Sequence, residues 1–151
     1  MSNSLLTEQL LHIGASHAAG DLVTLRGGTD GDVTLETLIP GLAASGPLLR
    51  LTAPISFWGG VDPKTSIIAD VRHPQHGTPI SGTILMLPGT IGSSSASAVL
   101  LELIHRGIAP AAIIMPEPDA ILLLGVLVAR EMGWQGCAAF RGEFRYNYRR
   151  R

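Results

Sequence analysis

The 151-residue sequence contains a single cysteine, Cys137. That excludes an internal disulfide, and it excludes an iron–sulfur cluster held by this chain alone, since such clusters need several thiolates. Charge is also scarce. Asp, Glu, Lys and Arg make up 15% of the residues, against about 25% in an ordinary soluble domain, so a partner subunit is expected to cover part of the surface. Homo-oligomerisation or an unusually large apolar core would meet the same deficit. The formal net charge of -1 leaves no domain-wide basic field to displace counterions, which argues against nucleic acid as a main partner. Long apolar runs are missing as well. The longest, residues 120–129, is about half of the roughly 20 residues needed to cross a bilayer. The amino terminus carries Glu8 and His12 within its apolar segment and lacks the basic start of a secretory signal. The chain is therefore expected to be soluble and cytoplasmic, with no membrane partner.

What is present reads as one domain with appendages. Leu5, Leu6, Leu10, Leu11 and Ile13 have partial helical spacing, and a small, polar, glycine-rich stretch follows, so residues 1–33 are expected to be an extension of helix plus linker. Residues 48–52 and 66–71 are short strand candidates, separated by Pro54, Gly59, Gly60 and Pro63. Residues 83–87 read as a buried strand. The next segment places Val99, Leu100, Leu103 and Ile104 on one helical face and ends at Gly107. Residues 111–115, bounded by Pro110 and Pro116, suit a second buried strand parallel to the first. Asp119 is placed to cap a helix that runs through Glu131 and stops at Gly133, and residues 137–140 form a further strand candidate. The alternation predicts an α/β fold over residues 34–141, with strand-helix-strand units packed on a barrel-like β layer. Residues 142–151 form a basic tail. Arg141, just ahead of it, and Arg145, Arg149, Arg150 and Arg151 are interleaved with Phe144, Tyr146 and Tyr148, as a solvated end or a grip on an anionic substrate, a partner or RNA.

The chemistry concentrates in residues 88–107, where an apolar strand runs into a glycine turn and three serines precede a helix. Unpaired N–H groups and the positive end of the helix dipole favour an anion at such a place. Ser93, Ser94 and Ser95 would present hydroxyls to it, and Gly89 and Gly92 would supply positive φ and close approach. The loop lacks the Gly-Lys-Ser/Thr ending of a P-loop and the second glycine of a Gly-x-Ser-x-Gly elbow. A plainer reading has the serines capping the helix.

Other groups carry less. Asp70, His73 and His76 have three-residue spacing, but Pro74 and Gly77 make a turn the better reading than a metal-binding helix. The histidines could still meet a substrate at an interface. Trp58, in the loop Phe57-Trp58-Gly59-Gly60, suits either the core or an interface. Glu102 and His105 read as helix surface, and Met86, Met115 and Met132 as packing residues.

Taken together, the segments Pro54-Ile-Ser-Phe-Trp-Gly-Gly-Val-Asp-Pro63, His73-Pro-Gln-His-Gly77, Gly92-Ser-Ser-Ser95, Leu101-Glu102, Gly107 and Ala109-Pro110-Ala111-Ala112-Ile113-Ile114, with residues 121–129, resemble the small subunit of the aconitase X family. The resemblance implies a swivelling β/β/α domain, the counterpart of the mobile domain of aconitase, closing over a larger catalytic subunit. It also implies a hydro-lyase whose large subunit supplies most substrate contacts and the iron–sulfur cluster, so that this chain binds neither cofactor nor metal. Ser93, the first serine after Gly92, would be the proton acceptor, with Gly92, Ser94 and Ser95 orienting a small anionic substrate. The family includes cis-3-hydroxy-L-proline dehydratases and mevalonate 5-phosphate dehydratases. Two departures stand out: Thr65-Ser66 where the family commonly has Thr-Gly, and Ile91 where a basic residue usually precedes the Gly-Ser pair. The second makes a doubly charged phosphate less attractive and favours hydroxyproline. A non-catalytic binding or regulatory subunit is the alternative of another class.

Overall fold

The computed structural model describes residues 10–27, 31–92 and 94–142. Seven strands close into one barrel in the order β1-β2-β3-β7-β6-β5-β4. Strands β1 (Leu10–Ile13), β2 (Leu22–Arg26), β3 (Val33–Ile39) and β4 (Ala44–Arg50) make its antiparallel part: β1 pairs with both β2 and β4, and β2 with β3. Strands β4, β5 (Ile84–Met86), β6 (Ala112–Met115) and β7 (Ala138–Arg141) run parallel, and β7 meets β3 antiparallel to complete the ring. A single turn, α1 (Phe57–Gly60), lies between β4 and β5. Helix α2 (Ala96–His105) links β5 to β6, and α3 (Ala120–Glu131) links β6 to β7. The α/β fold with strand-helix-strand units is thus present, but those units do not sit on a separate β layer. Their strands are staves of the same barrel. Among the described residues no helix is long and apolar enough to cross a membrane.

Strand side chains alternate between two cores. Leu11, Ile13, Leu25, Leu35, Ile84, Met86, Ile114 and Phe140 fill the barrel. Leu85, Leu87, Ile113, Met115 and Ala139 point the other way and pack with Val99, Leu100 and Leu103 of α2 and Leu122, Val126 and Ala129 of α3. Because β5 and β6 are buried on both faces, their sequences read as continuous apolar runs. Each fully buried aliphatic side chain contributes about 1.5–3 kcal/mol relative to exposure. Asp119 caps α3, accepting hydrogen bonds from the Ile121 and Leu122 N–H groups, and both long helices stop before left-handed glycines, Gly107 (φ 74) and Gly133 (φ 79). The two helices touch backbone to backbone at Gly125, where a Cβ would stand 2.5 Å from the Ser97 carbonyl oxygen.

Several expectations are corrected. The helix over Leu5, Leu6, Leu10, Leu11 and Ile13 is not formed where the chain is described: residues 10–13 are strand β1, and residues 1–9 lie outside the described residues. Leu11 and Ile13 are buried while Leu10 and His12 are exposed, which is a period of two. The stretch read as linker contains β2. Residues 66–71 form no strand; Ile67 and Ile68 make isolated bridges to Pro79 and Val61. Ser66 instead turns the chain with left-handed backbone (φ 68), fully buried, its Oγ without a hydrogen-bond partner. Met86 and Met115 are buried, but Met132 is exposed. The tail residues Phe144, Arg145, Tyr146, Tyr148, Arg149, Arg150 and Arg151 lie outside the described residues.

Candidate functional site

The loops that leave the carboxyl ends of β4, β5 and β6 gather at one end of the barrel, the end where α/β sheets usually bind ligands. Backbone hydrogen bonds stitch the first two together: Ile55 N donates to Gly89 O (3.4 Å) and Ile91 N to Ile55 O (3.0 Å). The second and third are joined by a side-chain clasp, in which the Thr90 hydroxyl donates to Asp119 Oδ2 at 2.5 Å. The other carboxylate oxygen caps α3, Ile121 N and Leu122 N donating to Oδ1 at 3.0 and 3.1 Å. One aspartate therefore fixes both the start of α3 and the approach to the serine loop.

Gly92 and Ser94 are exposed, Ser95 is half-buried, and Ser93 lies outside the described residues. Ser95 occupies the N-cap position of α2 but makes no side-chain cap hydrogen bond. Its carbonyl serves the first turn, accepting from Ala98 N and Val99 N at 3.1 and 3.4 Å. The plain capping reading is thus not realised by Ser95. Gly89 and Gly92 are also corrected, since neither has positive φ. Among the described residues, a Cβ at either would meet nothing within 4 Å. Neither backbone strain nor internal packing calls for glycine there, so any close approach must come from outside the chain.

The rim is apolar. Ile91 stands in the loop itself and Trp58 in the turn that follows Ile55, each more than half exposed. Trp58 is held outward while its neighbour Phe57 anchors in the core, the Ser56 hydroxyl donates to Trp58 O (3.0 Å), and Gly59 takes φ 81. Of the core and interface alternatives for Trp58, the core one is excluded. The rim's charged pairs, Arg72 with Asp70 (3.7 Å) and Arg141 with Glu117 (3.9 Å), are long and solvated, and each is worth little. In the adjoining turn the Asp62 carboxyl is held below its ordinary value, chiefly by the hydrogen bond it accepts from Lys64 N–H.

Asp70, His73 and His76 do not converge as ligands. His73 is buried rather than exposed, and both its ring nitrogens are used: Nδ1 accepts from Gln75 N (3.0 Å), which leaves the proton on Nε2 to donate to Ala53 O (3.1 Å). Asp70 accepts from Arg72 N within its own turn. Glu102 pairs with Arg106 along α2, as a helix surface would, while the His105 ring packs on Trp134 with centroids 4.2 Å apart. Among the described residues no group of three His, Cys, Asp or Glu side chains could hold a metal ion. Cys137 does not fit a thiolate ligand either. It is buried just before β7, at the barrel end away from the serine loop, and desolvation pushes its thiol up to about 12.

A cavity of about 580 Å³ lies at that opposite end, between Ser16, His17, Pro40, Leu42, Arg130 and Trp134. It includes no residue of the serine loop. A loop whose ligand is enclosed by a second polypeptide is open when viewed alone, so the clasped loops mark the site better than cavity size does.

The sequence marks Asp119 as a cap but carries no local signal that links it to Thr90, 29 residues away.

Residues 33–139 match the profile of the aconitase X swivel domain. A cis-3-hydroxy-L-proline dehydratase of Pseudomonas aeruginosa is 51% identical over 96 residues, which is 64% of this chain and 16% of that protein. A phosphomevalonate dehydratase small subunit of Methanothermobacter thermautotrophicus is 43% identical over 84 residues, 56% of this chain and 64% of that one. The matched stretches thus span less than two thirds of either relative. Among solved structures, aconitase X of Thermococcus kodakaraensis in its holo-form superposes with a TM-score of 0.59 at 25% identity, covering 87% of this chain and 79% of the other.

Proposed function

We propose, because this chain belongs to the aconitase X swivel-domain family, that it is the small subunit of a cytoplasmic two-subunit hydro-lyase that dehydrates cis-3-hydroxy-L-proline. The observation that carries the reading is the serine loop itself: it sits clasped at the carboxyl end of the parallel strands, with glycines that leave room on the outward side. The 51% identity to a protein named for that reaction supports the substrate. So does Ile91, since a loop presenting an isobutyl-sized apolar side chain in place of a cation is better matched to one carboxylate than to a doubly charged phosphate. The 43% identity to a phosphomevalonate dehydratase small subunit favours mevalonate 5-phosphate as the second reading.

In this mechanism Ser93 takes the proton from the carbon beside the substrate carboxylate. The hydroxyl on the neighbouring carbon departs as water with a proton from an acid of the large subunit, and a carbon–carbon double bond forms between the two carbons. A serine hydroxyl is a weak base, so its alkoxide must be stabilised by the amino end of α2 and by exclusion of water when the subunits close. Gly92, Ser94 and Ser95 orient the carboxylate. This chain's single buried cysteine fits no iron–sulfur cluster, and the cluster is assigned to the large subunit.

The test is anaerobic dehydration of cis-3-hydroxy-L-proline by the chain with its large partner, comparing wild type with Ser93→Ala. Turnover is expected to fall at least about a hundredfold, the scale of a lost general base, with the complex still assembled. Turnover of mevalonate 5-phosphate instead would select the second reading, and a complex whose activity ignores Ser93→Ala would support a binding or regulatory subunit.

A further inference from the structure

The outer surface of α3 departs from the usual pattern of a surface helix, which turns polar residues to water. Its inner side is buried through Leu122, Leu123, Val126 and Ala129. Its outer side carries Ile121, Leu124, Leu127 and Met132, exposed at 47%, 50%, 48% and 55%. At 100° per residue these four fall within one ridge along the whole helix, with half-buried Val128 between them. Single exposed aliphatics are ordinary, but a continuous ridge in a chain with little charge is a surface meant to be covered.

Its place in the fold indicates what covers it. The ridge begins at Ile121, whose N–H is capped by the same Asp119 that clasps Thr90 of the serine loop. It therefore starts one hydrogen-bonded side chain away from Thr90, the neighbour of the exposed Ile91 in the serine loop. Glu131 is the one ionic side chain on the ridge, while Arg130 turns aside to donate to the Pro40 carbonyl.

We propose that the α3 ridge is the docking face for the large catalytic subunit, received by an apolar groove with a basic group opposite Glu131. This rests on the two-subunit reading above. Seating the ridge fixes where α3 begins, and through Asp119 and Thr90 it fixes how far the serine loop reaches into the shared site. Docking and reaction geometry are thereby joined by one rigid helix.

The experiment measures the Kd between the full chain and its large subunit, by calorimetry, for wild type and Leu124→Glu, with Leu124→Ala as a milder variant. Far-UV circular dichroism and melting temperature check folding, which an exposed position should preserve. A buried, unpaired carboxylate at the centre of an interface is expected to weaken binding by at least about thirtyfold, the level of a hot-spot loss, with Leu124→Ala intermediate. Unchanged affinity of a folded Leu124→Glu would overturn the proposal. If wild type itself fails to bind the large subunit, the two-subunit reading fails first. If sedimentation shows a wild-type homodimer that Leu124→Glu dissociates while large-subunit affinity holds, the ridge joins two copies of this chain and the proposal is overturned.

Discussion

Replacing Ser66 by glycine should stabilise this protein. Two penalties meet at the position. The backbone is left-handed at φ 68, which costs a residue with a Cβ about 1–2 kcal/mol. The hydroxyl is fully buried without a hydrogen-bond partner, and leaving such a group unsatisfied costs about 1–3 kcal/mol. Glycine removes both, offset by about 0.5–1 kcal/mol for the greater freedom it gives the unfolded chain and by the small packing loss of one methylene, about 0.8 kcal/mol. The net expectation is a gain of about 0–4 kcal/mol, centred near 2 kcal/mol. For a chain of this size the central value corresponds to a rise in Tm of roughly 4–8 °C. Ser66→Ala deletes the hydroxyl and keeps the backbone penalty, without the offsets that glycine brings, so it isolates the burial term and should itself gain about 1–3 kcal/mol. Equilibrium urea unfolding followed by circular dichroism would measure all three, with equal m-values required for the comparison. A Ser66→Gly chain less stable than wild type would refute the reasoning. Ser66→Ala no more stable than wild type would refute the hydroxyl half of it.

Gly125→Ala should act in the opposite direction, since its Cβ would press to 2.5 Å from the Ser97 carbonyl; a loss of about 1–3 kcal/mol is expected, read by the same unfolding assay. Because Ser97 lies in the first turn of α2, dehydration by the two-subunit complex proposed above should fall too. The raised thiol pKa of Cys137, about 12 against an ordinary 9.0, means that the folded state holds its proton more tightly than the unfolded state. Its contribution to stability is whole below about pH 9 and is lost as pH rises from there towards 12. A Cys137→Ala series should therefore show a flatter alkaline stability profile than wild type, and iodoacetamide at pH 8 should label wild type only after unfolding.

The parts of the fold legible in the sequence are those with local signals. Strands β5 and β6 announce themselves because both faces are buried, and α2 and α3 because Asp119, Gly107 and Gly133 punctuate them. The departure from Thr-Gly at Thr65-Ser66 was legible, and a left-handed Ser66 shows why glycine suits the position, whereas the strand expected from residue 66 is not formed. Strands β1 and β2 were missed because they are four and five residues long and draw their order from partners far along the chain, such as Leu11 opposite Gly46. The site divides the same way. The serine loop is visible as composition, whereas the Thr90–Asp119 clasp is a contact between loops that only the parallel arrangement of β5 and β6 creates. Gly89 and Gly92 were misread as conformational necessities, since the room they leave faces outward.

A ring of strands offers no rim for another chain to extend. The stretch that matches the family profile begins at residue 33, within β3, yet β2 covers one side of β3 and β1 covers one side of β4. A fragment trimmed to residues 33–139 would leave two seven-residue strands, Val33–Ile39 and Ala44–Arg50, with open backbone donors and acceptors. Such rims invite intermolecular strand addition and precipitation. The smallest piece that behaves well in solution should therefore start ahead of Leu10, and the weakly conspicuous first strands act as the guard against self-association that the more recognisable part of the sequence lacks.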